Sequence, residues 1–224
     1  MLHKNVIPFL TDLSNNNNKD WFTANKSRYQ EAHKDFTDFI DQLIAKIAET
    51  DPLLQGTTAK DCVFRIYRDV RFSKDKTPYK THFGAHIAVG GRKSKRAGFY
   101  LHIDPSGNSF TGGGIHMPEA PILKAIRNEF FQVPEELIEI LNNQEYKKYH
   151  NGLWEENKLK TAPKGFPKDF EHIDLLRYKS YIAIHNLKIN DISAADFISK
   201  LIHIHKAMYP LNRLLNTIIE DAGL

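Results

Sequence analysis

One cysteine in 224 residues excludes an intramolecular disulfide and any metal cage built from thiolates. Cys62 falls on the apolar parity of a predicted strand, and a single reduced thiol of that kind suits a cytosolic protein. No run approaches the roughly 20 apolar residues that span a bilayer, so no membrane partner is expected. The opening MLHKNVIPFL is apolar only briefly, holds Pro8 and has no small-residue cleavage site, which argues against a secretory signal. There is no HExxH, acidic cluster, nucleophile elbow, P-loop or dinucleotide fingerprint, and no cofactor is expected. Internal repeats and clear linkers are also missing. What remains is a chain with 41% hydrophobic and 26% charged residues, long enough to bury a core.

The stretch from Phe64 to Gly114 holds the unusual chemistry. From Cys62 to Phe72 the even positions Cys62, Phe64, Ile66, Val70 and Phe72 are apolar, and Arg65, Tyr67, Asp69 and Arg71 alternate with them, which predicts a half-buried strand. Arg68 breaks the pattern and requires a carboxylate, backbone carbonyls or a bulge, because an unpaired buried charge is costly. A second strand, Tyr79 to Val89, puts Phe83, Ala85, Ile87 and Val89 on one face and His82 and His86 on the other. A third, Gly98 to Asp104, sends Phe99, Leu101 and Ile103 inward and adds Tyr100 and His102 to the polar face.

Charge is concentrated in the same place. Between Lys60 and Arg96, eleven Lys or Arg stand against three Asp, an excess of eight in a chain whose formal total is +4. A local positive field with forked guanidinium donors suits phosphate or carboxylate.

The run from Arg68 to Lys80, ending Ser73-Lys74-Asp75-Lys76-Thr77-Pro78-Tyr79-Lys80, and the later GFYLHIDPSGNSFTGGGIHMPE resemble the uncharacterised family catalogued as domain of unknown function 2461, found in bacteria and fungi. The resemblance extends from the Trp21 region to the end and implies no particular activity.

The flanks read as helical support. Asn15 to Asn18 should form a loop with Asn18 or a neighbour capping a helix, and one long or two abutting helices are predicted from Trp21 to about Glu49, ended by Asp51-Pro52. Helices are also predicted after Pro118 and from Pro134 toward Tyr149. Trp154 to Phe170 should be a loop, either a flap over the site or a strap along the surface. Leu176 to Leu187 should hold a last strand, and Ser193 should cap a closing helix that runs to Asp221 through Pro210. The expectation is one α+β domain over 1–224: N-terminal helices (1–55), a mainly antiparallel meander of four to five strands (60–116), and helices, long loop, last strand and closing helix (117–224).

Several chemistries compete on the polar face. A metal site would draw on His82, His86, His102 and His116 with Asp69 or Asp104; His82 and His86 lie roughly 13 Å apart along one strand, leaving a cross-strand pair such as His86 with His102. Without a metal motif, no metal is expected. General acid-base work would use His82, His86 or His102 near Asp69. Gly112-Gly113-Gly114 before a helix can offer amides to an anion, or can mark a strand exit or bulge. The tip Arg92-Lys93-Ser94-Lys95-Arg96, with Tyr67, Tyr79 and Tyr100 for stacking, would suit nucleic acid. Alternatively Arg65, Arg68 and Arg71 with Asp69 and Asp75 form an internal ion-pair lattice. The leading expectation is an anionic small molecule, phosphate-bearing by preference, held by Arg65, Tyr67, Arg68, Arg71, Lys74, Lys76, Tyr79, Lys80 and Tyr100, with turnover left open.

Overall fold

The computed structural model of the protein describes residue 2 and residues 4–224. Its N-terminal apolar run forms a helix, α1 (Val6–Asn15), where none is predicted from the sequence. Pro8 does not prevent it, because the first turn leaves its N–H groups unbonded in any case. Asn18 caps α2 (Lys19–Ala24) as expected, its Oδ1 accepting the Trp21 N–H at 2.9 Å. α3 (Lys26–Ala48) follows, so the predicted helical run is two abutting helices with Asn25 between them.

The predicted first strand is absent. Cys62 is buried at the end of a short helix, α4 (Ala59–Cys62), and the following chain is extended but makes only the isolated bridges Val63↔Ala85 and Tyr67↔Tyr79. Phe72, expected to be apolar core, is 96% exposed. Alternation was a misleading signal here because residues 69–77 form a loop tied by its own side chains rather than a ladder.

Beyond it lie β1 (Phe83–Ile87), β2 (Gly98–Ile103), β3 (Phe110–Ile115) and β4 (Tyr181–Asn186), an antiparallel sheet in the order β1-β2-β3-β4. With α5 (Ala120–Gln132), α6 (Glu135–Asn142), α7 (Gln144–Tyr149), α8 (Ile173–Leu176), α9 (Ile189–Ser193) and α10 (Phe197–Asp221), this is an α+β protein. Ser193 ends α9 instead of capping the closing helix, and its Oγ donates to the Ile189 carbonyl at 3.0 Å. Pro210 lies inside α10.

The chain gathers into two compact units, one of Met1–Lys93, Tyr100–Thr111 and Asn186–Ile202, the other of Ser94–Phe99, Gly112–His185 and His203–Leu224. In the first, Phe83 of β1 packs against Phe9 of α1 and Phe36 of α3, with ring centroids at 6.5 and 5.3 Å. All three are buried, and burying each contributes on the order of 2–3 kcal/mol. In the second unit the three glycines sit in β3, where a Cβ at Gly113 would collide with Met208, at Gly112 with the Ala183 carbonyl and at Gly114 with the Tyr181 carbonyl. They permit close packing and present no amides at a helix start. The loop from Trp154 is a strap within this unit: its Trp154 N–H donates to the Ile182 carbonyl and its Leu159 N–H to the Arg177 carbonyl, each at 2.8 Å.

Candidate functional site

The extended chain after Cys62 lies antiparallel to the approach to β1. Phe64 N–H donates to the Gly84 carbonyl at 2.9 Å and Lys80 N–H to the Ile66 carbonyl at 2.8 Å. Between these anchors the loop 68–78 closes on itself. Arg68, with its side chain 26% exposed, reaches Asp75 Oδ2 at 2.5 Å, the Thr77 carbonyl at 3.1 Å and the Thr77 hydroxyl. Arg71 grips Asp69 with two donors at 2.9 and 2.7 Å, and Lys76 donates to the Val70 carbonyl at 3.0 Å. The Thr77 N–H, aided by Arg68, holds the Asp75 carboxyl down at about 2, and Arg71 lowers that of Asp69. Arg68, Asp69, Arg71 and Lys76 are therefore engaged within the loop, while Lys74 is exposed.

Two of the expected ring residues face elsewhere. Tyr79 is buried and stacks on Phe22 at 4.0 Å, and its backbone N–H and carbonyl are both bonded by the Asn17 side chain. Tyr67, 48% exposed, joins the same aromatic group, 5.9 Å from Phe22 and 5.5 Å from Tyr79.

The polar face of β1 and β2 is brought together differently from the expected register. His82 lies against His102, ring centroids 4.1 Å apart, and the Tyr100 hydroxyl fills the space where Gly84 lacks a Cβ; an added Cβ would meet it at 2.6 Å. His86, in β1 and four residues further along the extended chain than His82, consequently stands away from His102. Tyr100 Oη is 3.3 Å from His102 Nδ1, and His102 Nε2 is 3.9 Å from Asp104 Oδ2. Phe110 of β3 stacks on His102 at 4.8 Å, and Phe64 meets Tyr100 at 6.3 Å.

Asp104 is set by the turn after β2. Its Oδ1 accepts the Ser106 N–H at 2.8 Å, its own N–H donates to Ser109 Oγ at 2.8 Å, and that hydroxyl donates back to the Asp104 carbonyl at 2.9 Å. Oδ2 is left facing His102. One ligand atom each from His82, His102 and Asp104 lies within 4.8 Å of the others, so among the described residues these three form a group that could hold a metal. The signal for that group was present in the expected strands, but the sequence fixes no cross-strand register until the length of the connection from Ala88 to Ala97 is folded.

Burial and neighbouring charge tune the face. Burial, then the charges of His102 and Lys80, push His82 down to about 4, and burial also lowers His102 against the pull of Asp104. Burial lowers His86, raises Tyr100 to about 12, and with Arg65 lowers the half-buried Lys80 ammonium. At neutral pH the imidazoles are thus unprotonated. Lys80 Nζ stands 5.3 Å from the Phe64 ring centroid, and neither Lys80 nor the exposed Arg65 has a hydrogen bond or ion pair from its side chain to an acid among the described residues. Phe64 and Phe110 join the site without having been expected there, and Asp104, expected only as a possible metal ligand, stands beside His102.

The basic tip is largely engaged. In the first unit Arg92 donates to the Lys60 and Asp61 carbonyls at 2.6 and 2.9 Å; in the second, Lys95 pairs with Glu119 at 2.8 Å and Arg96 with Glu220. His116 is exposed beside Trp154. No helix among the described residues is long and apolar enough to cross a membrane.

Neither the curated proteins nor the solved structures include a match to this chain. The model of one family does match, over residues 5–213, taking in both the arginine-rich loop and the His82, His102 and Asp104 group: the chain belongs to the family described as Conserved hypothetical protein (DUF2461).

Proposed function

We propose that this protein binds a small, phosphate-bearing anion on the face formed by Arg65, Lys80, His82, Tyr100 and His102. The observation that carries the reading is an imbalance of charge. Lys80 is half-buried beside Arg65, which repels it, and among the described residues neither cation has a hydrogen bond or ion pair to an acid, Arg65 acting on Asp69 only through space, whereas Arg68 and Arg71 nearby in sequence are paired. A desolvated cation without a counter-ion gains from an incoming anion, and the guanidinium adds directional donors. Tyr100 supplies a hydroxyl on the same face, and the aromatic edges of Phe64 and Phe110 lower the local dielectric, strengthening each charged contact.

The test is a thermal-shift series on chelator-treated protein with inorganic phosphate, sulfate, sugar phosphates, nucleotides and short oligonucleotides at low and physiological salt. Binding to the native state raises Tm by mass action. Small phosphate-bearing anions are expected to raise Tm, and Arg65→Ala or Lys80→Met to remove the shift while leaving the unliganded melt near that of wild type. Stabilisation by oligonucleotides alone, fading steeply with salt, would overturn the reading in favour of nucleic acid. No shift with any anion would overturn it in favour of an internal ion-pair lattice.

A further inference from the structure

We infer that His82, His102 and Asp104 form a binding site for a divalent transition metal of the zinc, iron or nickel type, with at least one coordination position left open. Two imidazoles and one carboxylate are a borderline donor set, suited to such ions better than to magnesium or calcium. The three ligand atoms lie within 4.8 Å of one another, and His102 Nε2 and Asp104 Oδ2 are already at 3.9 Å. Bonds of about 2.0–2.1 Å in a tetrahedral site put ligand atoms about 3.3 Å apart, so closure requires shifts of about 1 Å.

Those shifts break little. His82 has no hydrogen bond among the described residues, and its contact with His102 is ring on ring. Asp104 keeps Oδ1 on the Ser106 N–H while Oδ2 remains available. His102 is oriented from behind: with Nε2 on the metal, Nδ1–H donates to the Tyr100 hydroxyl 3.3 Å away, the kind of outer contact that fixes the tautomer of a ligating histidine. Gly84 makes room for that hydroxyl. The side chains of His102 and Asp104 are only 13% and 15% exposed, so the site is largely desolvated without being fully buried.

The metal site itself does not require the anion reading, because three protein ligands can take up an ion alone.

The deciding experiment titrates Co2+ and Zn2+ into metal-free protein in a non-phosphate buffer, following the visible ligand-field band of Co2+ and the calorimetric heat of Zn2+. Saturable, equimolar uptake is expected. Asp104→Asn, nearly isosteric, and His82→Gln should each abolish the Co2+ band while circular dichroism and the metal-free melt stay near wild type. Tyr100→Phe should weaken affinity by roughly 10-fold or more, as loss of an outer-shell partner does. Absence of equimolar uptake, or a band and affinity unchanged in both ligand variants, would overturn the site. Phosphate shifts measured on chelated protein report the anion reading separately, so either idea can fail alone.

Discussion

Two clusters of cations stand within twenty residues of each other and behave in opposite ways. In the loop 68–78, Arg68 and Arg71 meet Asp75 and Asp69, and Lys76 meets a backbone carbonyl, so their charge is consumed in holding the loop shape. On the neighbouring face, Arg65 and Lys80 repel one another and Lys80 acts on two histidines, with no acid hydrogen-bonded or ion-paired to either cation among the described residues. Density of Arg and Lys in the sequence is the same signal in both places. What separates a strut from a binding group is whether a carboxylate lies within reach, and only the fold decides that.

The largest expected effect tests the strut. Arg68→Met removes hydrogen bonds to Asp75 and to both oxygens of Thr77, leaving the Thr77 carbonyl short of a donor. A loss of about 1–3 kcal/mol in chemical denaturation is expected, discounted toward the lower end because Asp75 is largely exposed. Arg65→Ala, by contrast, should leave stability within about 0.5 kcal/mol, as for an exposed side chain with no hydrogen bond or ion pair among the described residues. Equal losses in the two variants would erase the distinction between loop and face.

A smaller effect tests how the face is built. Gly84→Ala puts a Cβ at 2.6 Å from the Tyr100 hydroxyl, and the ring is held between Phe64 and Phe110, so it must turn away at a cost of roughly 1 kcal/mol. The contact with His102 Nδ1 is then lost. Co2+ affinity should fall as it does for Tyr100→Phe, and the double variant should be no worse than either alone. Additive losses would mean that Gly84 acts through something other than Tyr100.

The same contrast explains what could be read from the chain in advance. Alternation along Phe83-Ala85-Ile87 and Phe99-Leu101-Ile103 marks real strands, because each has one face on the core and these residues are buried. Alternation from Cys62 to Phe72 looks the same but marks a loop, since nothing in the pattern reports that Arg68 and Asp69 find partners within ten residues. β3 escaped notice because three glycines have low strand preference, and their reason for being there, close approach of Met208 and the β4 backbone, is tertiary. His82, His86 and His102 were legible as one face. Which two histidines meet was not, because register depends on the fold of the connection between β1 and β2.

The smallest expected effect is also the sharpest, and it concerns Arg71, which the sequence alone places among the ligand donors. Its guanidinium is bound by Asp69 through two hydrogen bonds, and its side chain is 76% exposed. An exposed, solvent-screened pair of this kind adds little to stability, so Arg71→Ala should leave the denaturation midpoint nearly unchanged. The same variant should retain the phosphate-induced Tm shift that Arg65→Ala and Lys80→Met lose. A lost shift would show that the Asp69 pair opens to receive the anion, joining the loop to the face as one site. Retention keeps them apart, with Arg65 and Lys80 as the binding cations and the arginine-rich loop as the frame beside them.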